Sequence, residues 1–159
     1  MIRDVSRIER SLKLIKSISK NEWELADHSR IEKITENVNG KKETFYLRWV
    51  YAGGNRNYDS DWGEAEEFYS MSQVKKFAEK VRHRMANEIH EDEKRGRLYG
   101  LDMGIEIYNN IKKRYSRGEW KKELKKEIKK WNSHSAHQEY GTYAEGIVAK
   151  LKQYYKGLS

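Results

Sequence analysis

Apolar residues near the start of the chain recur at helical spacing. They are Val5, Ile8, Leu12 and Ile15. Arg3, Arg7, Arg10 and Lys13 lie away from this stripe, and Asp4 precedes Val5 as a candidate N-cap. The pattern predicts an outer helix from about Asp4 to Lys20 that buries one stripe.

Two segments of alternating character follow, at 31–38 and 43–51, and they flank Asn39-Gly40. This dipeptide favours a two-residue type I′ turn, because both central residues of that turn need a positive φ. The two segments are therefore predicted to form an antiparallel hairpin that turns at 39–40.

The second of these strands has one face that is more apolar than the other. Phe45, Leu47 and Trp49 alternate with more polar positions, so we expect these three to face the helices. Gly53-Gly54 is predicted to end the strand, and a short third strand is predicted over 66–71.

The remaining chain carries helical patterns with apolar stripes over 72–94, 103–115, 117–132 and 142–156. Gly96 is the predicted stop signal of the first of these helices. The run 100–104 matches neither a dinucleotide loop nor a phosphate loop, so its glycines are interpreted as turn residues. Residues 133–140 are predicted to be a polar connection.

These elements predict an α+β fold: a small antiparallel three-stranded sheet, packed by an N-terminal helix and about four following helices. A length of 159 residues predicts a single domain over 1–159. Within it, 1–95 form an α-β-β-β-α part and 96–159 form a basic helical part.

Composition narrows the classes of function. The chain has no Cys, which rules out disulfides, thiolate zinc sites and Cys nucleophiles. No catalytic or nucleotide-binding motif is present, and His134 and His137 lack acidic neighbours that would complete a metal site. We expect no enzyme activity, no cofactor, no metal, no small-molecule ligand and no membrane span, which fits a cytoplasmic protein.

The net charge of +8 is concentrated in the C-terminal part: residues 112–130 hold ten Lys or Arg and three Glu. Four lysines lie opposite the apolar stripe of the predicted helix 117–132, and they are Lys122, Lys125, Lys126 and Lys129. A lysine face binds phosphates through counterion release and without sequence specificity. It is a candidate nucleic-acid surface, and the alternative is a solvated helix face.

The order α-β-β-β-α, with Lys75-Lys76 early in the second helix, is similar to the double-stranded RNA-binding domain. In that family a Lys-Lys-x-Ala run grips phosphates, and here the run is Lys75-Lys76-Phe77-Ala78. The family's Gly- and Pro-rich strand connections are missing. A nucleic-acid-binding module, of this type or a non-specific one, is therefore the alternative function.

Acidic and aromatic residues are concentrated between 58 and 67, in a region predicted to be a loop. The candidate partner-binding residues are Tyr58, Asp59, Asp61, Trp62, Glu64, Glu66 and Glu67. Aromatic residues are enriched where proteins bind one another, and carboxylates suit a cationic partner. The alternative is a solvated loop in which Trp62 folds back into the core.

The stretch ETFYLRWVYAGGNRNYDSDWGEAEEFYSMSQVKKFAEKV, with the length and Lys/Glu/Asn/Tyr-rich composition, resembles a family of phage proteins. These are the type II-A anti-CRISPR proteins of phages and prophages, in particular the inhibitors of staphylococcal Cas9. The resemblance implies a stoichiometric, non-catalytic inhibitor that binds guide-RNA-loaded Cas9 in the bacterial cytoplasm and prevents DNA cleavage. These inhibitors share no common motif, so no functional residue transfers by position.

Overall fold

The computed structural model describes residues 1–52 and 62–158, which form five helices and five strands. The elements are α1 (Val5–Ser11), β1 (Ile15–Ser19), β2 (Glu22–Leu25), β3 (Arg30–Val38), β4 (Lys41–Tyr51), β5 (Trp62–Phe68), α2 (Met71–Arg114), α3 (Arg117–Trp131), α4 (His134–Tyr140) and α5 (Thr142–Gly157). The predicted α+β class is confirmed.

Two compact units make up the chain, and α2 contributes to both. One unit is Val5–Glu88, and the other combines Met1–Asp4 with Ile89–Ser159. The single domain expected from the sequence stays a prediction. Within the described residues, no helix combines the length and the apolar character that crossing a bilayer requires.

The sheet is larger than predicted. Its five strands are antiparallel in the order β1-β2-β3-β4-β5, so the prediction of a three-stranded sheet is wrong. The predicted helix 4–20 ends at Ser11, whose hydroxyl donates to the Ile8 carbonyl at 2.6 Å. The apolar residues after Ser11 fit both the period of a helix and that of a strand. Pairing with β2, which places Ile15 opposite Leu25, makes this segment a strand.

The predicted hairpin is confirmed. Val38 pairs with Lys41, and the two residues between them, Asn39 and Gly40, have φ of 53° and 79°. Both values are those of a type I′ turn, whose twist matches that of the flanking strands.

The prediction for the faces of β4 is wrong. The core of the first unit joins Tyr46 and Ile31 to Val74, Ala78 and Val81 of α2, and further members are Leu25 and partly buried aromatic side chains. Phe45, Leu47 and Trp49 belong to neither core cluster of the described chain and lie on the opposite side of the sheet. We call the side toward α2 the inner face and the other side the outer face.

α2 runs through the predicted stop at Gly96 without a break, so the separate helices 72–94 and 103–115 are one element. The second unit explains its glycines. A Cβ on Gly100 would overlap the Tyr143 carbonyl oxygen of α5, and a Cβ on Gly146 would overlap the Arg97 carbonyl oxygen. The glycines at 96, 100 and 104 therefore let the α2 and α5 backbones approach closely, and the interpretation as turn residues is wrong.

The C-terminal helices agree with those predicted from the sequence, except over 133–140. α3 and α5 lie where predicted, and their apolar stripes meet around Tyr108, Ile111 and Leu124. The predicted polar connection over 133–140 is wrong, because it contains α4. Ser133 caps this helix by accepting the Ala136 backbone N–H at 3.2 Å.

Candidate functional site

A buried arginine on the inner face fixes the strands that carry the site. Arg48 of β4 is 7% exposed. Its guanidinium donates to Ser29 Oγ at 3.0 Å, to Glu66 Oε2 at 2.8 Å and to Asp27 Oδ2 at 2.7 Å. The guanidinium carbon also lies 4.9 Å from the Phe77 ring centroid. A charged residue therefore occupies a core position on β4, and the apolar neighbours of Arg48 on that strand are turned outward.

A bulge in β5 sets which acidic residues face outward. Trp49 pairs with Glu64 and Leu47 pairs with Glu67, so two residues of β5 oppose Arg48 alone. An extra residue of this kind shifts the alternation of a strand. Glu64 and Glu67 consequently share the outer face although they are three positions apart.

The register of the five strands makes the outer face strongly acidic. Seven glutamates lie on it among the described residues, and they are Glu22, Glu24, Glu32, Glu36, Glu43, Glu64 and Glu67. The basic residues of the same described face are Lys16, Arg30 and Lys41. Carboxylates outnumber basic groups there, although the whole chain carries a net charge of +8.

Two cross-strand pairs on this face bring like charges together. Glu22 lies directly opposite Glu32. Glu36 lies directly opposite Glu43. Like charges at directly opposed positions destabilise a sheet, so these pairs lower the stability of the free protein. They also concentrate negative potential on the outer face, whereas α2 packs against the inner face.

Glu22 and Glu32 share a pocket of about 250 Å³ with Arg30, Trp49 and Trp62. The Arg30 guanidinium lies over the Trp62 ring, 4.7 Å from its centroid. Two buried donors, Arg30 Nε and Trp49 Nε1, have no hydrogen-bond partner in the described part of the chain. The pocket thus combines indole walls and two carboxylates.

The predicted partner-binding residues do not form one loop. Trp62, Glu64 and Glu67 lie on the outer face of β5, and Glu66 points inward to Arg48. The remaining three, Tyr58, Asp59 and Asp61, lie outside the described residues. The strand predicted at 66–71 begins instead at Trp62, because pairing with β4 extends to Tyr51.

Sequence reasoning missed the pocket residues on β2 and β3. The available signal was the alternation of glutamate in EWEL (22–25) and RIEKITE (30–36), which places acids on one face of each strand. Recognising this signal required predicting β2 as a separate strand and predicting correctly which side chains of β4 point inward.

The lysine surface has the predicted arrangement. Lys122, Lys125, Lys126 and Lys129 are all exposed on α3, and Lys126 pairs with Glu123 at 3.2 Å. The stripe on the other side of the helix contributes to the core of the second unit, with Leu124 fully buried. The geometry is compatible with a phosphate-binding surface and with a solvated face.

Other candidate chemistry finds little structural support. His137 Nε2 lies 3.2 Å from Asn132 Oδ1, and within 1–52 and 62–158 no group of three or more His, Asp or Glu has the arrangement of a metal site. Five strands separate α1 from α2, so the order expected of a double-stranded RNA-binding domain is absent from the described chain. Comparison of the chain with protein-family models, curated proteins and solved structures identified no match.

Proposed function

We propose that this protein binds a cationic surface of another protein through the outer face of its sheet, without catalysing a reaction. The observation that supports the proposal is the excess of carboxylates on that face, including two opposed glutamate pairs. Because these opposed glutamates destabilise the sheet, they point to a role other than folding. Binding of a cationic partner would relieve their repulsion.

The partner that we propose is Cas9, which the resemblance of the central stretch implies. Cas9 holds its guide RNA and target DNA in a positively charged channel, and cleavage depends on docking of its HNH domain. A protein with an acidic, aromatic face could occupy part of such a cationic surface. We therefore propose a stoichiometric inhibitor that binds guide-loaded Cas9 in the bacterial cytoplasm and blocks DNA cleavage.

Binding kinetics on immobilised, guide-loaded staphylococcal Cas9 test this proposal. The double variant Glu64→Lys/Glu67→Lys should slow association about tenfold at low salt and less at high salt, because steering between opposite charges is screened by ions. The control Asp102→Lys/Glu106→Lys makes the same change in net charge at exposed positions of α2 and should keep the wild-type association rate.

Two outcomes would contradict the proposal. Wild-type protein that neither binds guide-loaded Cas9 nor reduces its cleavage would remove Cas9 as the partner. Equal slowing in both variants would show that total charge, rather than the outer face, governs association.

The alternative function is non-specific nucleic-acid binding by α3. It is favoured by the exposure of all four lysines on one side of this helix. A salt-dependent shift of random-sequence duplex would support it, and we expect none at physiological ionic strength.

A further inference from the structure

We propose that the pocket between Trp49 and Trp62 captures an arginine side chain that the partner protein presents. This inference rests on the proposed function, because it specifies what the outer face recognises. It concerns five residues: Glu22, Arg30, Glu32, Trp49 and Trp62.

The walls of the pocket suit a guanidinium. A planar cation is attracted to the face of an indole ring, and the chain itself provides an example in Arg30, which lies 4.7 Å from the Trp62 centroid. A second guanidinium entering beside Trp49 would meet the same kind of surface. The volume of about 250 Å³ is sufficient for one side chain and not for a helix.

The carboxylates of Glu22 and Glu32 supply negative charge that complements an arginine side chain. Glu22 and Glu32 are directly opposed across β2 and β3, and neither forms an ion pair with another described residue. A guanidinium with its fork of N–H donors can bridge two carboxylates, which converts their repulsion into attraction on both sides. A lysine ammonium would lack this planar fork.

Two double variants that remove charge without changing side-chain size distinguish capture of an arginine by the pocket from general electrostatic attraction to the outer face. Glu22→Gln/Glu32→Gln removes the two carboxylates of the pocket, and Glu36→Gln/Glu43→Gln removes the other opposed pair of the same face, outside the pocket. Both changes relieve a like-charge repulsion, so neither should lower the Tm. On guide-loaded Cas9, the pocket variant should raise the dissociation rate at least about tenfold, whereas the control should slow association and leave dissociation unchanged.

A second measurement does not depend on Cas9. N-acetyl-arginine methylamide should shift the indole N–H resonance of Trp49 saturably at millimolar concentration, and N-acetyl-glutamine methylamide should not. The shift should vanish in Glu22→Gln/Glu32→Gln and persist in Glu36→Gln/Glu43→Gln.

The outcomes are distinguishable. If the arginine compound leaves the Trp49 resonance unmoved, the pocket proposal is overturned whether or not Cas9 binds. A saturable shift without any binding to Cas9 would support the pocket and refute the proposed partner. Equal dissociation rates for the two double variants would refute capture by this pocket.

Discussion

Asp27 is the residue on which the charge network of the sheet converges. Its carboxylate accepts from the Ser29 backbone N–H at 3.0 Å, the Ser29 hydroxyl at 2.5 Å, Arg48 at 2.7 Å and Arg84 at 3.0 Å. Burial opposes ionisation, but the hydrogen bonds from Ser29 and Arg48 outweigh it and hold the pKa of Asp27 below its ordinary value. The ionised form is therefore the one that stabilises the fold.

This shift gives stability a defined pH dependence. A carboxyl whose pKa is lower in the folded state stabilises fully above its ordinary pKa near 3.8, and this contribution is lost as the pH falls through the lower folded value. Asp27→Asn should cost about 1.5–3 kcal/mol at neutral pH, in the range of hydrogen bonds to charged groups. The difference from the wild type should shrink below about pH 4.

Urea unfolding of both proteins between about pH 7 and about pH 2 measures this difference. Asp92→Asn is the control, because Asp92 is an exposed partner of Arg95 and such pairs contribute little. A gap between wild type and Asp27→Asn that stays constant down to the lowest pH would show that hydrogen bonding to the ionised form is not its source.

At the scale of elements, the contact between α2 and α5 depends on missing side chains. Gly100 faces the Tyr143 carbonyl oxygen, Gly104 faces Lys150 and Gly96 faces Thr142. These glycines repeat every four residues, which places them along one side of α2. Glycine has a low helix propensity, so this stripe weakens α2 as a helix while it allows close backbone packing with α5.

Adding one methyl group at Gly100 should therefore be destabilising even though Ala is the better helix former. Gly100→Ala should cost about 1–3 kcal/mol, the usual effect of overpacking, since a backbone oxygen cannot move aside like a flexible side chain. Gly118→Ala in α3 should instead stabilise by about 0.4–1 kcal/mol, because nothing lies within 4 Å of its added Cβ.

Chemical denaturation of both variants provides the comparison. If Gly100→Ala were as stable as Gly118→Ala, the close approach of α2 and α5 would not exist in solution. Circular dichroism should show the helical content of both variants unchanged.

At the scale of the whole molecule, positive and negative surfaces belong to different compact units. By sequence, Val5–Glu88 carries 16 Lys or Arg and 14 Asp or Glu, for a net charge of +2. The other unit carries 17 and 11, for +6. The outer face is thus acidic within a weakly charged unit, and the lysines of α3 account for much of the excess in the other.

The lysine surface should be dispensable for the proposed function. The quadruple variant Lys122→Gln/Lys125→Gln/Lys126→Gln/Lys129→Gln should keep the wild-type Tm, because all four side chains are exposed. It should also inhibit cleavage by guide-loaded Cas9 as the wild type does. Loss of inhibition with folding intact would favour the nucleic-acid alternative.

Local patterns in the sequence were sufficient for several elements. The hairpin at Asn39-Gly40 follows from the need for positive φ, which few residues other than Asn and Gly satisfy. The extents of α3 and α5 follow from apolar stripes at helical spacing. In each case the deciding interactions lie within a few residues of one another along the chain.

Tertiary structure decided what local pattern left open. Residues 15–19 form a strand because β2 is available to pair with them, and Arg48 turns inward because Asp27 and Glu66 come together around it. That single inward arginine turns Phe45, Leu47 and Trp49 to the outer face, since side chains alternate along a strand. The candidate site exists only through this register, which brings glutamates from four strands to one surface.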